Sequence, residues 1–212
     1  MRPDILIFRI TDLFSNHTRT HMKVISYMVP VVMLLLSFLY NNNPFIVKEE
    51  AQTAFQLLNA VRNNPEKYYK EYHLNGKLKI TKTPLRWNDT LARVAEAKAL
   101  DMAKRNYFNH VSPEGVGINY LVQQSGYALN TDWLKDKKEN FFESLGSGHD
   151  SGAEAVKALI IDAGDASKGH RDHLLGIGDW DASLVDIGIG FVRSDGGNYQ
   201  SYTCIIIAKH SW

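Results

Sequence analysis

Apolar and polar positions follow two different periods along this chain, and the change from one to the other is its main structural signal. From Lys48 the spacing is helical: the acidic start Glu49-Glu50 leads into a stripe of Phe55, Leu57, Leu58 and Val61 that runs to Asn63-Asn64. Pro65 stops that helix and suits the first turn of a new short one, Pro65 to Tyr69, which ends by Leu74-Asn75-Gly76. Asn88-Asp89-Thr90 is a capped start for the most regular helix. Its apolar positions Leu91, Val94, Ala95, Ala99, Met102 and Ala103 recur at helical spacing through Arg105. Ile118 to Gln124 predicts a third helix stopped by Gly126, then a polar insert, Ala128 to Lys138. The glycine-rich stretch Gly146 to Gly152 reads as a mobile loop. A helix over about Ala153 to Asp162 follows, then the loop Ala163–Ser167 and one or two turns over Gly169 to Leu175. From Val185 the period becomes two. Val185 to Val192 alternates large and small residues, Ser194 to Asn198 supplies turn chemistry, and Tyr199 to Ala208 is a β-branched and aromatic return, together a terminal β-hairpin. Helices first and a hairpin last predict an α+β layered domain rather than alternating βαβ units.

One segment breaks the amphipathic pattern. Val24 to Tyr40 contains no charged residue, follows Lys23 and ends at Asn41-Asn42-Asn43-Pro44. A basic flank followed by an apolar run is the order of an export signal, whereas a buried core helix would show a polar face over that length. The expectation is therefore an N-terminal segment, 1–44, acting as signal peptide or membrane anchor, and one globular domain over 45–212. Met22 is a second candidate start, and no small-x-small pattern marks a cleavage point. The destination expected is secreted, periplasmic or cell-surface.

Composition narrows the function. Lys and Arg number 24 against 23 Asp and Glu, for a formal charge of +1. No dense basic cluster marks a phosphate-binding stripe, so nucleic acid is not an expected partner. The single cysteine, Cys204, excludes an intrachain disulfide and any multi-cysteine metal or redox motif.

The side chains able to bind a cation or exchange protons at element boundaries are His110, Glu139, Asp162 and His170. No His-Glu-x-x-His, glycine-framed serine or phosphate-cradling loop is present, since Gly146-Ser147-Gly148 lacks the lysine and helix that should follow. His170 and His173, three apart, would share a helix face. Ser112, before Pro113, is better suited to closing a turn than to nucleophilic chemistry.

In their order along the chain, these segments resemble the CAP superfamily, also called SCP-like or cysteine-rich secretory, and its bacterial branch in particular, over roughly residues 50–212. Leu85-Arg86-Trp87-Asn88 with Leu91-Ala92 resembles the family's L-x-W-(N/D) stretch. Phe108 to Gly115 is similar to F-x-H-x-S-P-(D/E)-G, Ser125-Gly126-Tyr127 to A-G-Y, Glu139-Asn140 to the end of G-E-N, and Gly169-His170-Arg171 to G-H-R. The resemblance implies a three-layer α-β-α sandwich with a C-terminal β-hairpin. It also implies a cleft of two histidines and two acids, carried onto His110, Glu139, Asp162 and His170. Leu159 stands where the family has a tryptophan, Asp162 where it has a glutamate and Lys138 where it has a glycine, and Ala163–Lys168 is longer than the bacterial connection.

Two imidazoles and two carboxylates suit Zn²⁺ or another divalent cation. The leading expectation is an extracytoplasmic ligand-binding or interaction domain with a cation cleft, its partner an unidentified ligand, protein or lipid. The alternatives are a metal-dependent hydrolase or protease with Glu139 as base, and a lipid or sterol carrier, which would need an apolar groove.

Overall fold

The computed structural model describes residues 43–210. The apolar run 24–40 and the second start at Met22 lie outside the described residues.

The described residues open with strand β1, Phe45–Ile46, and helix α1, Lys48–Asn63, followed by the short 3₁₀ turn Pro65–Tyr68. After β2, Arg86–Trp87, comes α2, Asp89–Arg105. The expected cap is present: Asn88 Oδ1 accepts from the amides of Thr90 (3.0 Å) and Leu91 (3.1 Å). Helix α3, Ile118–Gln124, and a 3₁₀ turn, Thr131–Leu134, precede β3, Glu143–Ser147. Helices α4, Gly152–Ile161, α5, Gly169–Leu175, and α6, Asp179–Ala182, lead into the hairpin of β4, Asp186–Arg193, and β5, Ser201–Ala208.

The sheet runs β1-β4-β5-β3, with β2 also paired to β4 and parallel to it. Strand β4 pairs with β5 along its whole length, from Asp186 opposite Ala208 to Arg193 opposite Ser201. Strand β3 is an edge strand held by β5, with Glu143 opposite Ile206. The alternation read as large and small in β4 has a direct cause. Cβ atoms added at Gly188 and Gly190 would lie 2.1 Å from the Ala92 nitrogen and 2.4 Å from the Ala95 carbonyl carbon, so these glycines let α2 lie directly on the sheet. Ile187, Ile189 and Phe191 point the other way and are also fully buried, because α1, α4 and α5 cover the opposite face. The result is a three-layer α-β-α arrangement in an α+β fold.

One expectation changes. The glycine-rich stretch read as a loop contributes its first residues to β3 and its last to α4. Gly146 sits opposite Thr203 in the ladder, with the His149 ring beside it, and the Ser151 hydroxyl caps α4 by accepting from the Glu154 amide at 3.1 Å. Sheet pairing and a serine cap outweigh the glycine content.

Arg62, almost wholly buried on α1, fixes the far end of α5: its Nε donates to the Leu174 carbonyl at 2.7 Å and Nη2 to that of His173 at 3.3 Å. Burial pulls its guanidinium down to about 10.

Candidate functional site

A cleft of about 330 Å³ opens at the start of edge strand β3, with His110, Asn140, Glu143, Ser144, His170 and His173 among its walls. His110 comes from the segment after α2, while His170 and His173 both come from α5, and each of the three is held by a different device.

His110 lies in the segment after α2, and its backbone is tied down from beneath. Lys98, 3% exposed, donates from Nζ to the carbonyls of Asn109 (2.8 Å) and His110 (3.1 Å). The following turn closes on Ser112, whose carbonyl accepts from the Gly115 amide and whose hydroxyl accepts from the Val116 amide. Ser112 thus has the local role its sequence context suggested. The imidazole of His110 has Nδ1 2.8 Å from Glu143 Oε2, while the other oxygen, Oε1, accepts from the Cys204 thiol at 3.3 Å. The Glu143 side chain is fully buried; that of His110 is 41% exposed. Asn140 presents Nδ2 to the same ring nitrogen at 2.8 Å, its Oδ1 being held by the amides of Phe142 and Glu143. Nδ1 can donate to Glu143 or accept from Asn140, but not both at once. Burial and the neighbouring Glu143 carboxylate push the Cys204 thiol well up, so it stays protonated and a donor.

The acid that meets His110 is therefore Glu143 and not Glu139. Glu139 is four residues earlier, and its backbone is occupied by packing: its carbonyl accepts from the Asn119 amide at 3.4 Å, and the Lys138-Glu139 backbone passes so close to Gly117 that a Cβ there would lie 2.4 Å from the Lys138 oxygen. Glu139 does not line the cleft, whereas its neighbour Asn140 does.

His170 opens α5, and Asp162 holds it. Asp162 ends α4 with φ +50°, in the left-handed region, which turns its carboxylate toward the next helix. Its Oδ2 accepts from the amides of His170 (3.0 Å) and Arg171 (3.4 Å), and Oδ1 lies 2.9 Å from His170 Nδ1. The His170 side chain is 31% exposed and that of Asp162 only 6%. Arg171 donates to the carbonyls of Ile160 and Ile161, both at 2.7 Å, which secures the end of α4. Within the longer connection, Asp165 comes next to this pair: one ligand atom each from Asp162, Asp165 and His170 lie within 4.8 Å of one another. The Ser167 hydroxyl, with the amides of Ser167 and Gly169, holds the Asp165 carboxyl below its ordinary range.

His173 lines the same cleft but is bound differently. Its Nδ1 accepts from the Ser144 hydroxyl at 2.8 Å, and Nε2 is 3.5 Å from the Ile207 carbonyl. Burial brings its pKa down to about 4, so it is neutral at ordinary pH. The structure thus brings together His110, Asp162 and His170 of the sequence-derived set. It adds Glu143, Asn140, Ser144, His173 and Asp165. No local signal marked Glu143, which opens an edge strand that only its pairing with β5 defines.

Comparison with known proteins gives the following. A family model described as CAP, cysteine-rich secretory protein family, matches residues 55–206. The uncharacterized protein YkwD of Bacillus subtilis is 30% identical over 111 residues, which are 52% of this chain and 36% of that protein, so the match spans about a third of that relative's length. Among solved structures, an extracellular protein containing a SCP domain from Bacillus anthracis is 22% identical, with 76% of this chain and 41% of that one covered and a TM-score of 0.46. An outer surface protein of Borrelia burgdorferi is 17% identical, covering 78% and 98% at a TM-score of 0.48. Venom allergen-like protein 4 of Schistosoma mansoni is 17% identical, covering 78% and 92% at 0.46.

Proposed function

Because this chain belongs to the CAP, or cysteine-rich secretory protein, family, we propose that it is an exported ligand-binding domain whose cleft holds a divalent cation between His110 and His170. One observation carries this reading. Each imidazole has Nδ1 against a buried carboxylate, Glu143 or Asp162, and neither Nε2 has a hydrogen-bond partner among the described residues. A carboxylate behind the far nitrogen is the usual outer support of a metal-ligating histidine, since it fixes the tautomer and ring orientation and raises basicity. The two acids then act as orienting groups rather than direct ligands. Besides Asp162, Asp165 is the carboxylate placed to join His170 at an ion. Two imidazole nitrogens and one oxygen, with a position left for ligand or water, suit Zn²⁺ or a similar borderline ion.

The geometry favours binding over hydrolysis. The hydrolase reading relied on Glu139 as base, and that residue does not line the cleft. Export is supported by the apolar run 24–40 behind Lys23 and by the secretory character of the family. The carrier reading has one observation in its favour, a separate groove of about 570 Å³ between α2 and α3 with Val94, Ala97, Val116 and Leu121 in its walls. Lipid recovered by mass spectrometry from the purified protein is the test of that reading.

For the cation, Zn²⁺ is titrated into the chain and into the His110→Ala/His170→Ala double variant by calorimetry. Saturable one-site binding lost in the variant is the expected result. Equal binding by both would leave these histidines a structural role.

A further inference from the structure

Beside the cation cleft, and sharing the wall Phe141 with it, is an open hollow of about 310 Å³ lined by Trp133, Phe141 and Trp180 alone. We infer that this hollow is a carbohydrate subsite, and that its ligand is a pyranose unit bearing a carboxylate, within a chain that reaches the cleft through Phe141.

The argument begins with exposure. Phe141 and Trp180 are 39% and 38% exposed, two of the few large apolar side chains left in solvent, and they adjoin each other with ring centroids 6.2 Å apart. Their neighbours fix them in place. Trp133, in the 3₁₀ turn of the polar insert, stands at 89° to Trp180 with centroids 5.4 Å apart, and its carbonyl accepts from Asn119 Nδ2 at 2.8 Å. Trp180 packs at 29° on the fully buried Phe142. Rigid indole surface held open to water is costly in a protein that makes no use of it.

The chemistry of the hollow selects the occupant. Lys209 Nζ stands 4.5 Å from the Trp180 ring centroid and 5.7 Å from that of Trp133, hydrogen-bonded to Ser183 Oγ at 2.7 Å. No carboxylate of the described residues pairs with it within 4.0 Å. An aromatic cage with an ammonium already beside it repels a second cation, which excludes the quaternary ammonium ligands that such cages otherwise take. A lipid chain needs enclosure that an open, three-walled hollow does not offer. A pyranose fits both features: its ring C–H groups carry slight positive charge and lie against the negative faces of aromatic rings, while its hydroxyls stay in water. A carboxylate on that sugar completes the ion pair that Lys209 lacks. The continuity through Phe141 makes the hollow and the cleft adjacent subsites, of about 310 and 330 Å³, for successive units of one chain. The hollow stands on its own residues; only the second unit depends on the cleft being a ligand site.

The test titrates the full 212-residue chain with a tetrasaccharide of alternating glucuronate and N-acetylglucosamine, and with its carboxyl-reduced counterpart, followed by tryptophan fluorescence and calorimetry. The acidic tetrasaccharide is expected to bind saturably with a change in tryptophan emission. Lys209→Gln weakens it about tenfold, the worth of one partly exposed ion pair, and leaves the reduced sugar unchanged. Trp180→Ala weakens both at least about tenfold. The His110→Ala/His170→Ala variant keeps binding at the hollow even if it loses Zn²⁺, which separates this inference from the cation reading. No saturable binding of either sugar by folded protein overturns it, and so does an absence of preference for the carboxylate. Loss of sugar binding in the double histidine variant with retention in Trp180→Ala also overturns it. Should Trp180→Ala fail to fold, Lys209→Gln decides.

Discussion

Lys98 is the support on which the His110 segment rests, and replacing it by methionine removes the ammonium while keeping most of the stem's volume. Its Nζ holds two backbone carbonyls, at 2.8 and 3.1 Å, and has Tyr107 Oη at 3.4 Å. A charge-assisted hydrogen bond contributes about 1.5–3 kcal/mol, so the two carbonyl bonds amount to roughly 3–6 kcal/mol gross. Removing a buried ammonium returns part of this, because its desolvation cost disappears with it. The net loss worked from these terms is about 2–3 kcal/mol. For a chain of this size that lowers the thermal midpoint by about 5–10 °C. Urea unfolding followed by circular dichroism measures it directly: the midpoint falls while the slope stays the same, the signature of a native-state effect. Zn²⁺ affinity should fall as well, since the released carbonyls let His110 leave the cleft. A loss below about 0.5 kcal/mol would refute the reasoning, because it would mean that burying the ammonium cancels all that its bonds contribute.

Three further outcomes follow from the same geometry. Gly190→Ala places a Cβ 2.4 Å from the α2 backbone, so α2 must shift off the sheet; a destabilisation of about 3 kcal/mol or more is expected, read by thermal unfolding. Glu143→Gln and Asp162→Asn, the latter retaining a residue type that accepts φ +50°, should each lower Zn²⁺ affinity about 10–100-fold with the fold kept, whereas Glu139→Gln should leave calorimetric binding unchanged. His173 has a folded pKa of about 4 against an ordinary 6.5, so below pH 6.5 the unfolded chain takes up a proton that the folded one refuses. Stability is intact above pH 6.5 and is lost as pH falls toward 4, by about 3 kcal/mol in all, and His173→Asn should flatten that part of a urea midpoint-against-pH profile.

Much of the layered fold was legible because it is written in local signals. The helix after Asn88 has its cap, its stripe and its end in one stretch, and the hairpin has strands, turn and period together. Asp162 and His170 were each named as candidates, and their pairing is a local one: they are eight residues apart and meet through a helix end and a helix start. Glu143 was not, because its role depends on where an edge strand begins, and β3 is defined by pairing with β5, some sixty residues later. Glu139 drew attention through its neighbour Asn140, which does line the cleft, while its own backbone is committed to Gly117 and Asn119. Trp133 lay within a segment that reads only as polar, and nothing near it in sequence announces Phe141 or Trp180 as its partners. Contacts made across the sheet leave no local trace.

The separation between the two histidine pairs also sets an order of assembly. His170 and Asp162 can meet as soon as α4 and α5 form, but Glu143 reaches its place only when β3 joins the sheet, and β5 is the strand that holds it there. The His110–Glu143 pair therefore needs a β3–β5 contact between residues some sixty positions apart, whereas the His170–Asp162 pair needs only a local one. Under the cation reading, metal capture by both histidines then waits on the pairing of β3 with β5. A bound cation would then report a completed sheet, because the His110 half of the site exists only with β3 in place while the His170 half does not depend on it.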